Sequence, residues 1–304
     1  MAIAPRQLDF FVALPSAEMP IKSAQDLMAR AWFSLSKDKR TKPIEHYFKK
    51  DFVKITPDPE HGMATIWDYD FVLFVISQWM DMLNKGVITS DSGDRRRGMG
   101  LEFRPNDYFK WIGVKKPGGE DYRRLKETLN RLHTTQIETN LHQGNRKTYH
   151  SFYFVGSWTE VEEDGKPIGI GVDMPPWIWE AVAKKKLVLT LDEEYFALRG
   201  GLERWLYLYV RKSAGRQNAG WRDSYENLYE KSGSTEAYRN FKVRLNRIVQ
   251  KQSLPHHELT AYEATNGKEY LAFVRRSELG DGHPRKEVEF ARRHKGSSPF
   301  KSSI

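Results

Sequence analysis

Cysteine is absent from the 304 residues. Disulfides, thiolate zinc sites and a cysteine nucleophile are therefore excluded together, and the composition fits a reducing compartment. Long apolar runs are missing too. The longest, Phe71 to Ile76, falls far short of the ~20 residues that span a bilayer. Phe10 to Leu14 is preceded by Asp9 and soon followed by Glu18, so it lacks the basic flank and long apolar core of a secretion signal. A cytoplasmic protein without membrane contact is expected. No glycine-rich loop ends in Gly-Lys-Ser/Thr, and Gly169-Ile170-Gly171 lacks the third glycine of a dinucleotide motif. The nine histidines contain no His-Glu-x-x-His. His256 and His257 are adjacent after Pro255; neighbours on a strand point to opposite faces, so no shared metal is expected. Glu160, Glu162, Glu163 and Asp164 precede a glycine and read as a solvated turn. The 14 tyrosines offer no way to single out a nucleophile. The expectation is a non-enzymatic protein with no catalytic residue, metal or cofactor.

What is present is a folding chain with an uneven surface. Hydrophobic residues make up 39%, above the level of a disordered chain. Lys and Arg number 49 against 40 Asp and Glu, a net charge of +9. That excess becomes informative only where it is concentrated, because clustered positive charge attracts polyanions. Leu27, Ala31 and Leu35 share a helical face within residues 21–35. Asp51 to Thr56 and Met63 to Trp67 read as strands. Asp68 is placed to cap an apolar helix that runs to about Asn84 and ends at Gly86. Residues 198–210 read as another apolar helix.

A duplicated pattern organises the rest. Leu125-Lys126-Glu127-Thr128-Leu129-Asn130-Arg131-Leu132 matches Phe241-Lys242-Val243-Arg244-Leu245-Asn246-Arg247-Ile248 at an offset of 116, with Tyr122 and Tyr238 in the same register. Each copy follows a short helix ending in glycine, at 107–113 and 225–233. Each then runs into a polar hairpin, at 135–155 and 258–274. Helix, short helix, long helix and hairpin define a winged helix-turn-helix, and an offset this long implies duplication of a whole domain rather than a short repeat. The expected fold is α+β, with two tandem winged-helix domains. Its parts are an N-terminal arm with a basic segment (1–45), a first winged-helix domain (46–160), a linker (161–190), a second winged-helix domain (191–276) and a basic tail expected to fray (277–304).

Each long helix divides into two faces. Tyr122, Leu125, Leu129 and Leu132 form a core stripe, as do Tyr238, Phe241, Leu245 and Ile248. The opposite faces carry Arg123, Arg124, Glu127, Asn130 and Arg131 in the first copy, and Arg239, Asn240, Val243, Asn246, Arg247 and Gln250 in the second, with Lys242 and Arg244 on its flanks. These side chains match the donor and acceptor pattern of base edges in the major groove. Any surface helix carries Lys, Arg and Asn; recurrence at equivalent positions is what argues for double-stranded DNA. Arg146 and Lys147 in the first hairpin turn would touch phosphate or the minor groove, with Lys37, Lys39, Arg40, Lys115 and Lys116 neutralising further phosphates.

Several segments resemble the replication initiator protein A family of bacterial plasmids. They are Leu35-Ser36-Lys37-Asp38-Lys39-Arg40, then Ile44 and Tyr47, then His61-Gly62-Met63-Ala64-Thr65-Ile66-Trp67-Asp68, then Gly118-Gly119-Glu120-Asp121-Tyr122 with Leu125, Leu129, Arg131 and Leu132. Leu208-Tyr209-Val210-Arg211-Lys212, Lys231-Ser232-Gly233-Ser234 and Leu254-Pro255 extend the match, which covers about residues 33–276. The resemblance implies binding of repeated origin sites (iterons), opening of an adjacent AT-rich stretch, recruitment of a host initiator and the replicative helicase, and a homodimer that represses its own gene. Three alternatives stay open on the residues alone: a winged-helix transcriptional regulator, a rolling-circle nicking enzyme, and a protein-only adaptor.

Overall fold

The computed structural model of the chain describes residues 19–20, 22–48, 51–94, 98–140, 148–184, 187–214, 220–264 and 267–279. In chain order the elements begin with β1 (Lys22–Ala24), α1 (Gln25–Met28), β2 (Ile44–Phe48), β3 (Asp51–Thr56), α2 (Tyr69–Asn84) and β4 (Met99–Phe103). There follow α3 (Pro105–Trp111), α4 (Gly119–Thr134), β5 (Gln136–Thr139), β6 (His150–Tyr153), β7 (Ser157–Glu163) and β8 (Lys166–Met174). Next come α5 (Pro176–Ala183), β9 (Val188–Thr190), a short 3-10 turn (Glu193–Ala197), α6 (Gly201–Ala214) and β10 (Trp221–Ser224). The last are α7 (Tyr225–Ser232), α8 (Tyr238–Lys251), β11 (His257–Glu263), β12 (Glu269–Arg275) and α9 (Arg276–Leu279).

The long apolar run becomes the centre of α2, where every residue from Tyr69 to Met80 is buried. A helix that is hydrophobic all round must be covered on all sides, and the elements around it provide the cover. Its counterpart is α6, where Leu202 and Arg204 to Val210 are buried. Each helix opens a corresponding succession, interrupted in the first half by β5 and β6. After α2 come β4, α3, α4 and the β7–β8 hairpin; after α6 come β10, α7, α8 and the β11–β12 hairpin. The sheets agree strand for strand, with orders β4-β8-β7 and β10-β12-β11.

Four expectations are corrected. The hairpin expected at 135–155 forms as β5 and β6, but it joins a four-stranded sheet of order β2-β3-β5-β6. The hairpin equivalent to β11–β12 is β7–β8, so residues 161–190 are not a linker. The Gly/Pro-rich stretch is strand β8: Gly171 pairs with Thr159 and Glu102, and Pro167 sits at a register shift next to Val161 and Glu162, where a proline is tolerated. Asp68 does not cap α2 either; its carboxylate turns back to accept from Thr65 N (2.7 Å) and Thr65 Oγ1 (3.0 Å). Met63 to Trp67 forms no strand, only a single bridge from Thr65 to Ser34.

The N-terminal arm expected at 1–45 is, from Lys22 onward, built into the fold, and it joins the two halves. β1 pairs with β9, Ala31 N donates to Lys231 O (2.9 Å), and His46 bonds Ala31 O (3.0 Å). Gly201 lets α6 approach so closely that a Cβ there would lie 2.1 Å from Leu35 O. Gly233, at φ +58°, ends α7 against Ile44. The two separate cores expected from the duplication are instead one: Phe71, Trp79, Leu129, Tyr225, Phe241 and Leu245 belong to a single buried cluster. At its centre Arg204 of α6 donates from Nη1 to both oxygens of Asp70 in α2 (2.7 and 2.9 Å).

Candidate nucleic-acid interface

α8 buries Phe241, Leu245 and Ile248 and leaves Arg239, Asn240, Val243, Arg247 and Gln250 exposed. Val243 keeps 45% of its surface in solvent. Arg239 and Arg247 have no ion-pair partner among the described residues. Two neighbours are tied down more than expected. Lys242 Nζ lies 2.5 Å from Glu269 Oε2 on β12, and Asn246 Oδ1 accepts from Tyr225 OH (2.7 Å). Both brace the helix against its own unit.

α4 repeats the division, with Leu125, Leu129 and Leu132 buried. Lys126 reaches β7 at Glu160 (2.7 Å), the counterpart of Lys242 reaching β12. On the outer face Arg123 donates to Glu120 (2.6 and 2.8 Å) and to Glu127, and Arg124 donates to Glu120 (3.0 Å). Exposed pairs of this kind contribute about 0–1 kcal/mol, so a phosphate can displace the carboxylates. Asn130 is half-buried beside them.

Arg131 departs from the expected role. Its Nε and Nη2 donate to Asp68 Oδ2 (2.8 Å) and Oδ1 (2.7 Å), and Thr128 Oγ1 donates to the same carboxylate (2.7 Å). That bond is the main reason its pKa rises above the ordinary arginine value. Asp68 precedes the first residue of α2. The residue preceding α6 is Gly200, which has no side chain to offer, so the equivalent Arg247 points outward while Arg131 is held inward.

The basic segment also divides. Arg40 is spent on three carbonyls, Gly233 O (2.6 Å), Lys42 O (2.8 Å) and Pro43 O (3.0 Å), and burial lowers its pKa; it ties the two halves rather than facing phosphate. Lys37 and Lys39 are exposed, as are Lys115 and Lys116 in the loop between α3 and α4. Arg146 and Lys147 lie outside the described residues. Residues 34–40 run between the two long helices. On one side, Lys37 to Lys39, His61, Trp67, Arg124, Thr128 and Arg131 line a cavity of about 530 Å³. On the other, Ser34, Leu35, Ser36, Asp38 and Arg40 face Gly233 to Glu236 and Arg244 across about 260 Å³. Asp38 lines both. Sequence reasoning missed Thr128, His61 and Trp67, whose partners are distant in the chain.

Of the histidine pair, His257 is buried with Nδ1 2.6 Å from Pro255 O, and His256 faces out, Nε2 2.7 Å from Asp192 Oδ2. Asp192, Glu194 and His256 bring one donor atom each within 4.8 Å of one another, the one such group among the described residues. Among those residues no helix is long and apolar enough to cross a membrane.

The mixed α+β architecture is similar to a crystal structure of domains 2 and 3 of RctB, with a TM-score of 0.56 at 13% identity, covering 82% of this chain and 98% of that one. A second RctB domain 2–3 crystal structure aligns at a TM-score of 0.46 and 15% identity over 87% of this chain and 98% of that one. Residues 22–259 match the family Replication initiator protein A. A relative from Wigglesworthia glossinidia brevipalpis, described as "Putative replication protein", is 33% identical over 212 residues, 68% of this chain and 73% of its own length. The chain belongs to the replication initiator protein A family.

Proposed function

We propose that this chain is a non-enzymatic plasmid replication initiator acting in the cytoplasm. It binds repeated duplex sites at an origin through two winged-helix units, residues 69–174 and 201–275, whose reading helices are α4 and α8. Origin opening and recruitment of host replication proteins follow from that binding. Family membership supports the replication role. The unit assignment is supported by the shared succession of elements and the identical strand order of the two three-stranded sheets.

One observation carries the DNA reading: α8 turns Arg239, Asn240, Val243 and Arg247 into solvent, with no hydrogen bond or ion pair from their side chains among the described residues. Arginine pairs bidentately with guanine, asparagine with adenine, and an apolar group meets the thymine methyl. α4 contributes chiefly Arg123, Arg124 and Asn130. Lys37, Lys39, Lys115 and Lys116 supply sequence-independent attraction to phosphates.

Fluorescence anisotropy of labelled origin repeats against scrambled duplex tests the reading. If roughly six to ten phosphates are contacted, affinity drops by about three to five orders of magnitude between ~50 and ~200 mM salt. Binding that ignores salt, or that shows no preference for the repeats, defeats the proposal. A stable dimer on one promoter palindrome, without replication of an origin supplied in trans, would instead identify a transcriptional repressor.

A further inference from the structure

We propose that the 530 Å³ cavity beside α4 binds one nucleoside phosphate, its base on Trp67 and its phosphate on Lys37, Lys39 and Arg124. The volume lies within the ~300–1,000 Å³ of small-ligand sites. The site shares Lys37, Lys39 and Arg124 with the proposed duplex contacts, but its cavity and its aromatic ring play no part in that reading.

Its floor is preorganised. Asp68 is buried, and its carboxylate is saturated by Thr65 N, Thr65 Oγ1, Thr128 Oγ1 and the Arg131 fork. A carboxylate so neutralised does not repel an anion, and Arg131 keeps its Nη1 edge without an intramolecular bond among the described residues. At the rim Lys37 and Lys39 are exposed and form no salt bridge among the described residues, although Lys39 is close enough for its charge to act on Asp58. Gly62, at φ +78°, lets Lys39 in, since a Cβ there would lie 2.8 Å from Lys39 Cγ. Four cationic side chains face Asp38 and Asp68, with His61 between, so the cavity is net positive.

Trp67 supplies the aromatic surface. Lys37 Nζ lies 5.0 Å from its ring centroid, a cation–π contact that covers the face a base would take. Entry of a base transfers Lys37 from the ring to the phosphate, keeping a partner for both. Cations around one aromatic ring are the elements that hold nucleotides without regard to sequence. The source of the nucleotide is either a free molecule or a base turned out of a DNA strand, and the two share this chemistry.

Equilibrium dialysis of the full chain against dAMP, adenosine and inorganic phosphate tests the site. dAMP is expected to bind with one-to-one stoichiometry, about tenfold or more tighter than adenosine or phosphate alone. Lys39→Glu and Trp67→Leu should each weaken it about tenfold. Lys85→Ala, at the far end of α2, should leave it unchanged, and urea midpoints report whether each variant is folded. Displacement of dAMP by a short single-stranded oligonucleotide assigns the site to an unpaired strand; displacement by neither strand nor duplex assigns it to free nucleotide. No binding at millimolar dAMP, or indifference to Lys39→Glu in a folded protein, overturns the proposal.

Discussion

Arg131 and Arg247 occupy equivalent positions in the two long helices, yet alanine should affect them in opposite ways. Removing Arg131 strands the Asp68 carboxylate, whose side chain is 2% exposed. Breaking a buried pair in this manner costs ~3–5 kcal/mol. The lower end applies here, about 3 kcal/mol, because Arg131 itself keeps 24% exposure and Asp68 retains its bonds from Thr65 and Thr128. In a chain of this size that corresponds to a fall in melting temperature of roughly 5–10 °C. Arg247→Ala removes an exposed group with no partner, so stability should stay within about 0.5 kcal/mol. Its loss should appear in DNA binding as about 1–3 kcal/mol less discrimination at one base position. Urea denaturation and anisotropy against single-base site variants measure both quantities on the same preparations. Asp68→Asn added to Arg131→Ala should recover part of the stability by removing the uncompensated charge. Wild-type stability in Arg131→Ala, with loss confined to one base, would refute the inward assignment of that arginine.

Three further outcomes are expected. Asp70→Ala should cost about 3–5 kcal/mol by leaving Arg204 buried and unpaired, whereas Asp70→Leu with Arg204→Met should cost much less; a double-mutant cycle in urea reads the difference, and additive effects would contradict the pairing. Burial is the main cause that lowers the pKa of His46 and His257 to about 4, below the ordinary 6.5. The unfolded chain therefore binds protons that the fold refuses. Their contribution to stability is complete above about pH 6.5 and is lost as pH falls toward 4. Urea midpoints should decline between pH 7 and 5, ahead of the carboxylates, and flatten in His46→Gln with His257→Gln. Finally, Lys115→Ala and Lys116→Ala should weaken all duplexes alike and reduce the salt slope by about 0.9 each; a sequence-selective effect would rule out a phosphate role.

Much of this architecture was legible because it rests on local periodicity. The stripe Leu125, Leu129 and Leu132 and its copy Phe241, Leu245 and Ile248 both face the core, and strand β3 spans Asp51–Thr56 as alternation predicts. The failures share one physical cause: long-range pairing overrides local composition. Gly169, Gly171 and Pro167 carry loop chemistry, yet β4 and β7 capture that stretch from both sides as strand β8. Arg131 and Arg247 look alike along the helix; only the presence of Asp68 and the absence of a side chain at Gly200 separate them. Arg40 reads as one more surface cation until Gly233 comes within reach of its guanidinium. The nucleotide cavity was illegible for the same reason, since its walls come from three stretches of chain.

The single buried cluster makes the molecule a ruler rather than a pair of grips. On the proposed reading, α4 and α8 meet the duplex at one separation and one rotational phase, held by Arg204, Asp70 and the β1–β9 pairing. A target must therefore present its two halves at the matching distance along the duplex and on the matching side of it. Inserting half a helical turn, about five base pairs, between the halves would put one of them on the far side. A whole-turn insertion restores the side but not the distance, so neither spacing should be tolerated.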